Sequence, residues 1–139
     1  MTRRIYVAGG SSEVDLVAGF MYRLRDWDWV VAHDWTLPVR QRAALGMTDK
    51  EMDADWANFF AWSDLRGIDG ADYFWLLAPG QKSEGAWCEA GYAIGRSLHV
   101  SQRLKTLVSG PTANIFARGI QQRFDTHDEA FRWLTELSQ

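Results

Sequence analysis

Ala71-Asp72-Tyr73-Phe74-Trp75-Leu76-Leu77-Ala78 is followed, after Pro79-Gly80, by Ser83-Glu84-Gly85-Ala86-Trp87-Cys88-Glu89-Ala90-Gly91-Tyr92-Ala93. The first stretch is an apolar run of strand length with one polar residue near its start, the pattern of a strand buried on both faces of a parallel sheet. Pro79-Gly80 ends it. The second stretch predicts a helix over 86–96, rich in small side chains that let it lie close to a sheet. It carries Glu89. A strand running into a helix puts their turn at the carboxyl end of the sheet, where α/β proteins gather their chemistry. Glu89 is therefore the leading candidate for a functional residue.

The same alternation continues in both directions. Residues 4–8 (Arg-Ile-Tyr-Val-Ala) predict a first strand ending in Gly9-Gly10, and Ser11 or Ser12 can cap the helix that follows. In that helix Val14, Val17, Phe20, Met21 and Leu24 recur at helical spacing. Residues 28–33 predict a second strand, broken by Asp34-Trp35-Thr36-Leu37-Pro38. Residues 36–50 read as a long loop with a short helix. A long helix starts at Thr48 or Asp49 and runs to about Arg66, with Met52, Trp56, Phe59, Phe60 and Ser63 on its inward side. Residues 104–108 predict a fourth strand, and either 114–116 or 122–124 a fifth. Thr126-His127-Asp128-Glu129 has the form of a capping box for a last helix. This order predicts a parallel sheet with helices on both faces. With 139 residues and no linker or repeat, the expectation is a single domain over 1–139.

Composition narrows the function. A formal net charge of −3 argues against a general surface for polymeric nucleic acid. The 47 % of hydrophobic residues suffices for a core. No apolar run long enough for a membrane span occurs. No signal peptide is expected after Met1-Thr2-Arg3-Arg4, and the expected location is the cytoplasm. Cys88 stands alone, so no disulfide forms within the chain, and it reads as a small hydrophobe. Neither a zinc-ligand spacing nor a Walker-type loop is present, and Gly9-Gly10 lacks the full dinucleotide fingerprint. No metal and no cofactor are expected. Eight Trp residues read either as core and subunit packing or as stacking partners for a planar ligand.

Three segments together carry a resemblance: Ile5-Tyr6-Val7-Ala8-Gly9-Gly10, the strand opened by Ala71-Asp72, and the run from Gly85 through Glu89, Gly91 and Ala93 to Arg96. With the strand–helix order, they resemble the nucleoside 2-deoxyribosyltransferase superfamily, which also includes hydrolases of nucleoside 5'-monophosphates. The most specific feature is a Gly four before a Glu, with Gly and Ala two and four after it. The resemblance implies a single-domain, open, mostly parallel five-stranded sheet with helices on both faces, flavodoxin/Rossmann-like and of the deoxyribosyltransferase type. It implies that Glu89 is the nucleophile at the anomeric carbon, that Tyr6 orients its carboxylate, and that Asp72 lies near the leaving base. Gly9 and Gly10 match a turn where a side chain would block the ligand.

Ser83 occupies the position where the transferases typically have an Asp and the hydrolase-like branch has a Ser on the 5'-phosphate. Ser11 and Ser12 fit a phosphate cradle. These favour a 5'-monophosphate substrate, against which stand Glu13, Glu84 and the lack of an Arg after the Gly-Ser turn. Arg96, or Arg118 or Arg123 of a second subunit, could substitute. The resemblance also implies a homodimer or higher homo-oligomer.

Cleaving an N-glycosidic bond requires a group that traps the oxocarbenium-like centre and one that protonates the departing base. Glu89 and Asp72 have the right chemistry if they converge. Hydrolysis and transfer to another base remain equally open. Simpler readings stand beside these. Glu89 could face solvent, Tyr6 could be a core residue, Asp72 a strand-start cap and Ser83 an N-cap. Ser83 and Gly85 join the substrate-binding candidates, as do His33 and Trp35, with packing the equal alternative for His33. The alternative function is a catalytically inactive nucleotide-binding or sensor domain of the same fold, and a third is a partner-binding module using the helix around Trp56–Trp62.

Overall fold

Strand β1 (Arg3–Ala8) lies inside a five-stranded sheet and is buried from Ile5 to Ala8. In a computed structural model describing residues 2–47, 52–99 and 103–139, it pairs with β2 (Trp29–Val31) on one side and β3 (Tyr73–Leu77) on the other. Beyond β3 come β4 (Lys105–Ser109) and β5 (Gln122–Phe124), giving the order β2-β1-β3-β4-β5 with every pair parallel. Helices α1 (Val14–Arg25) and α5 (His127–Leu137) pack on one face of this sheet. Helices α3 (Ala54–Asp69) and α4 (Glu84–Ser97) pack on the other. The chain leaves β1 in opposite directions toward β2 and β3, which opens a crevice at their carboxyl ends. This is the flavodoxin-like order, and all five residues of β3 are buried as its apolar run requires.

Several elements differ in detail from the expectation. The second strand is shorter because Asp28 sits at φ 62, in the left-handed region that Asp tolerates better than most residues. The break after it starts helix α2 (Thr36–Ala44), whose Thr36 N–H donates to the Asp34 carboxylate at 3.1 Å. Burial opposes ionisation of Asp34, but hydrogen bonds from Thr36 and Arg25 outweigh it and hold this carboxyl below its usual range. Neither Ser11 nor Ser12 caps α1. They form a 3-10 turn with Glu13, whose carboxylate instead accepts from Gly80 N–H at 2.9 Å and ties the turn after β1 to the turn after β3. Of the two segments weighed for the fifth strand, 122–124 forms it, while Ile115–Gly119 is a 3-10 turn opened by the Asn114 side chain.

Helix α3 departs furthest. A start at Thr48 or Asp49 lies outside the described residues. Within them the helix begins at Ala54, with the Asp53 carboxylate accepting from Trp56 N–H at 2.9 Å. Its expected inward side is corrected as well. Trp56 and Phe59 are exposed, and only Gly67 and Ile68 are buried. Length explains this. The 16 residues of α3 span about 24 Å, whereas the five of β3 span about 17 Å. The amino-terminal turns of α3 therefore overhang the carboxyl edge of the sheet. Tyr92 O–H donates to Asp69 at 2.6 Å and Arg96 pairs with the same carboxylate at 3.1 Å, fastening the other end of α3 to α4. No helix among the described residues is long and apolar enough to cross a membrane.

A polar string crosses the core under α5. Trp75 Nε1 donates to Ser109 Oγ at 2.8 Å, and Ser109 Oγ lies 2.6 Å from His127 Nδ1. Trp75 and Ser109 are both fully buried. Burial also pushes His127 below its ordinary pKa, so its neutral ring can accept the serine proton. Ser109→Ala leaves the Trp75 N–H without its acceptor and should destabilise the protein by about 1–3 kcal/mol. Urea unfolding of wild type and variant at neutral pH measures the difference.

Candidate active site

A cleft of about 450 Å³ opens at the crevice between β1 and β3. Gly9 and Ser11 enter it from the turn after β1, Trp35 and Val39 from the chain after β2, and Ser83, Gly85 and Glu89 from the start of α4. Asp64 from α3 and Glu84 from the first turn of α4 bring two further carboxylates. The fold has thus brought an acidic side chain from each of two neighbouring helices to one wall.

Asp64 is held by a close helix–sheet contact. A Cβ added at Gly67 would come within 2.6 Å of His33 Cβ and 3.0 Å of the Tyr6 ring. Only hydrogen fits there, so α3 lies directly on β1 and the chain after β2. Asp64, three residues earlier and on the same helical side, is carried over the cleft floor. His33 Nε2 stands 3.2 Å from Asp64 Oδ1. His33 does not itself line the cleft, and its Nε2 has no partner at hydrogen-bond geometry.

Tyr6 is fully buried beneath this pair. Its hydroxyl has no partner at hydrogen-bond geometry, yet it lies close enough to Glu89 for each to shift the other. Burial, reinforced by the Glu89 and Asp64 charges, keeps the phenol well above its ordinary pKa and hence a neutral donor. Glu89 is half-buried, open to the cleft on one side. Burial pushes its carboxyl up from 4.5 to about 8, the Asp64 charge adds to the rise, and the Tyr6 hydroxyl opposes it. Glu89 therefore keeps its proton at neutral pH beside Asp64.

The other residues divide by position. Ser83 is the N-cap of α4, its Oγ accepting from Ala86 N–H at 3.4 Å, which leaves its own O–H free to donate. Gly85 has open space where a side chain would be. Trp35 Nε1 donates to Val7 O at 2.7 Å, pinning the ring at the cleft margin. A side chain at Gly9 would strike Val17 before any ligand, and one at Gly10 would meet Pro79 and Ser83. Both glycines thus serve packing of the turn. Ser12 is exposed and outside the lining.

Asp72 is not brought to the cleft, which corrects its expected placement. It opens β3 at the amino edge of the sheet, where its carboxylate accepts from Arg4 N–H at 2.9 Å. It caps the strand, and parallel strands put that end opposite the cleft. Arg96 is likewise engaged elsewhere, with Asp69 at 3.1 Å. Sequence reasoning passed over Asp64 and Gly67. Their signal was a glycine inside a helical pattern, which usually marks close packing, one turn after a carboxylate. Among the described residues no three His, Cys, Asp or Glu side chains gather as a metal site requires. Compared with known proteins, the chain matches no family model and no curated protein.

The raised Glu89 pKa has a consequence for stability. The folded protein holds this proton to a higher pH than the unfolded chain, so stability falls as pH rises from about 4.5 through about 8. Glu89→Gln removes that loss. Its melting temperature should exceed that of wild type at pH above 8, with the difference closing toward pH 4.5, as read by thermal unfolding across the range.

Proposed function

We propose that this protein cleaves the N-glycosidic bond of a nucleoside or, preferentially, a nucleoside 5'-monophosphate, as nucleoside 2-deoxyribosyltransferase-like enzymes and related N-glycosidases do. The observation that carries the reading is the pairing of Glu89 with Asp64 over the Tyr6 hydroxyl in one cleft. A glycosidic bond with a nitrogen leaving group needs one carboxylate to attack and one carboxylic acid to protonate, and the pair holds both forms at once.

Ionised Glu89 attacks the anomeric carbon as the bond to the base breaks, giving a glycosyl-enzyme ester. The proton shared by the pair passes through Asp64 to the departing base nitrogen. The Tyr6 hydroxyl, a neutral donor beside Glu89, turns toward one of its oxygens in the reacting complex and leaves the other to attack. Water then hydrolyses the ester, or a second base displaces Glu89 and takes the sugar. Asp64 here has the role that the sequence resemblance assigned to Asp72.

Preference for a 5'-phosphate is supported by the polarity of the cleft. Its α4 end presents the Ser83 hydroxyl, Lys82 and the amino-terminal amides of a 14-residue helix, a setting that favours an anion. Glu84 lines the same cleft and offsets the Lys82 charge, so the serine and the amides carry the preference. Glu84 pairs with Lys82 at 3.2 Å on the surface, and Glu13 accepts from Gly80.

Base release by chromatography tests the reading, using ribo- and 2-deoxyribonucleosides and their 5'-monophosphates, with and without an acceptor base. Free base from a monophosphate is expected, and Glu89→Ala should lower its rate by about a thousandfold or more. No release from any substrate, or release that survives in Glu89→Ala, overturns it. The pH profile of kcat/KM provides a second check. Its falling limb should follow loss of the pair's one proton, which Glu89 holds up to a pH of about 8 and which the departing base requires. Asp64→Asn should move that limb to lower pH by removing the like charge, and a limb that stays in place would remove Asp64 from the pair.

A further inference from the structure

Every crossover of the sheet runs through an α-helix except the last. Between β4 and β5 the chain makes only the 3-10 turn Ile115–Gly119, which packs on α4. So short a turn leaves the carboxyl ends of β4 and β5 without a roof. Gly110, directly after β4, takes φ 91, a conformation that favours glycine, and a Cβ there would lie 3.0 Å from the His127 ring. Between these segments a cleft of about 550 Å³ stays open. It shares no lining residue with the cleft at Glu89.

Arg118 and Arg123 both line this second cleft. Strand alternation brings them together. The Phe124 ring packs on Trp133 of α5, with centroids 5.8 Å apart, so Phe124 takes the α5 face of the sheet. Its neighbour Arg123 takes the other face, where the turn carrying Arg118 lies on α4. Elsewhere arginines are engaged: Arg4 with Gly70 O, Arg25 with Asp34, Arg96 with Asp69. Among the described residues Arg118 and Arg123 meet no acidic side chain at ion-pair distance. Asp125 sets one carboxylate against the two guanidiniums, so the cleft is positive in a chain whose net charge is −3. The Thr112 hydroxyl at its rim accepts from Asn114 N–H at 3.1 Å and keeps its own proton to donate.

We infer that this β4–β5 cleft is a second anion site, which takes a phosphorylated small molecule of nucleotide size. Guanidinium forks match phosphate oxygens in both geometry and charge. The volume lies in the range that encloses whole small molecules, and Pro111 and Phe124 offer apolar surface to the group the phosphate carries. The site is independent of the chemistry at Glu89.

Backbone amide NMR spectra of the whole protein at low salt, with inorganic pyrophosphate, ribose 5-phosphate or ADP added, test this. At least one probe should bind saturably and shift the amides of 110–114 and 123–125. Arg118→Gln and Arg123→Gln should each weaken that binding by about tenfold or more. Both side chains are exposed, and circular dichroism verifies that the variants fold. Ser83→Ala should leave affinity at 110–114 unchanged, which separates this site from the phosphate end of the other cleft. No shift at 110–114 with any probe overturns the inference, and shifts confined to 83–89 do so while leaving the glycosidic reading intact. Shifts that fail to saturate and that sodium chloride reproduces reduce the effect to screening and overturn it too. So does a loss of binding in the arginine variants that comes with a changed oligomeric state by light scattering, since the arginines would then serve a contact between copies of the chain.

Discussion

The contact of Gly67 with the Tyr6 ring and His33 is the constraint on which the cleft depends. It sets how closely α3 approaches β1, and so how far Asp64 reaches toward Glu89. A helix held off by one methyl group would carry its carboxylate away from the cleft floor. Interiors transmit such shifts because their packing leaves little room to absorb them. The other end of α3 is fixed to α4 through Asp69, Tyr92 and Arg96, so the two helices bearing the carboxylates are positioned as one unit.

The resulting site is locally unfavourable and chemically useful for the same reason. Glu89, with little solvent around it, resists ionisation, and burial leaves the Tyr6 hydroxyl no partner at bonding geometry. The cost is borne by a sheet in which β3 is wholly buried and β1 is buried from Ile5 to Ala8, and by helices packed on both faces. Perturbed groups gathered in a cleft at a strand-order switch are a common signature of function. In this chain the perturbed groups are Glu89 and Tyr6, with the amino terminus of α4 at one end of the cleft.

Much of this was legible in the chain before folding. The unbroken apolar run at 73–77 could only be a buried parallel strand, and the small-residue run after it could only be a helix lying close to the sheet. Glu89, Ser83 and Gly85 follow from that one βα unit because its turn lies at a known end of the sheet. Asp72 misled because its neighbours identify a strand but not which end of the strand bears chemistry. Trp56 and Phe59 misled because helical periodicity reports a preferred face without saying whether the sheet extends beneath it.

By itself, the sequence determined the parallel βα order, the placement of Glu89 at the carboxyl end of the sheet, and Ser83 at the start of its helix. These depend on short-range pattern: strand length, turn residues and caps. Only the tertiary structure decided that Asp64 is the second carboxylate, that Tyr6 lies beneath both, and that the aromatic end of α3 stands clear of the core. Those facts depend on distances between segments remote in the chain. They were set by the helix length against the strand length and by the absence of a side chain at Gly67, neither of which leaves a local mark that names its partner.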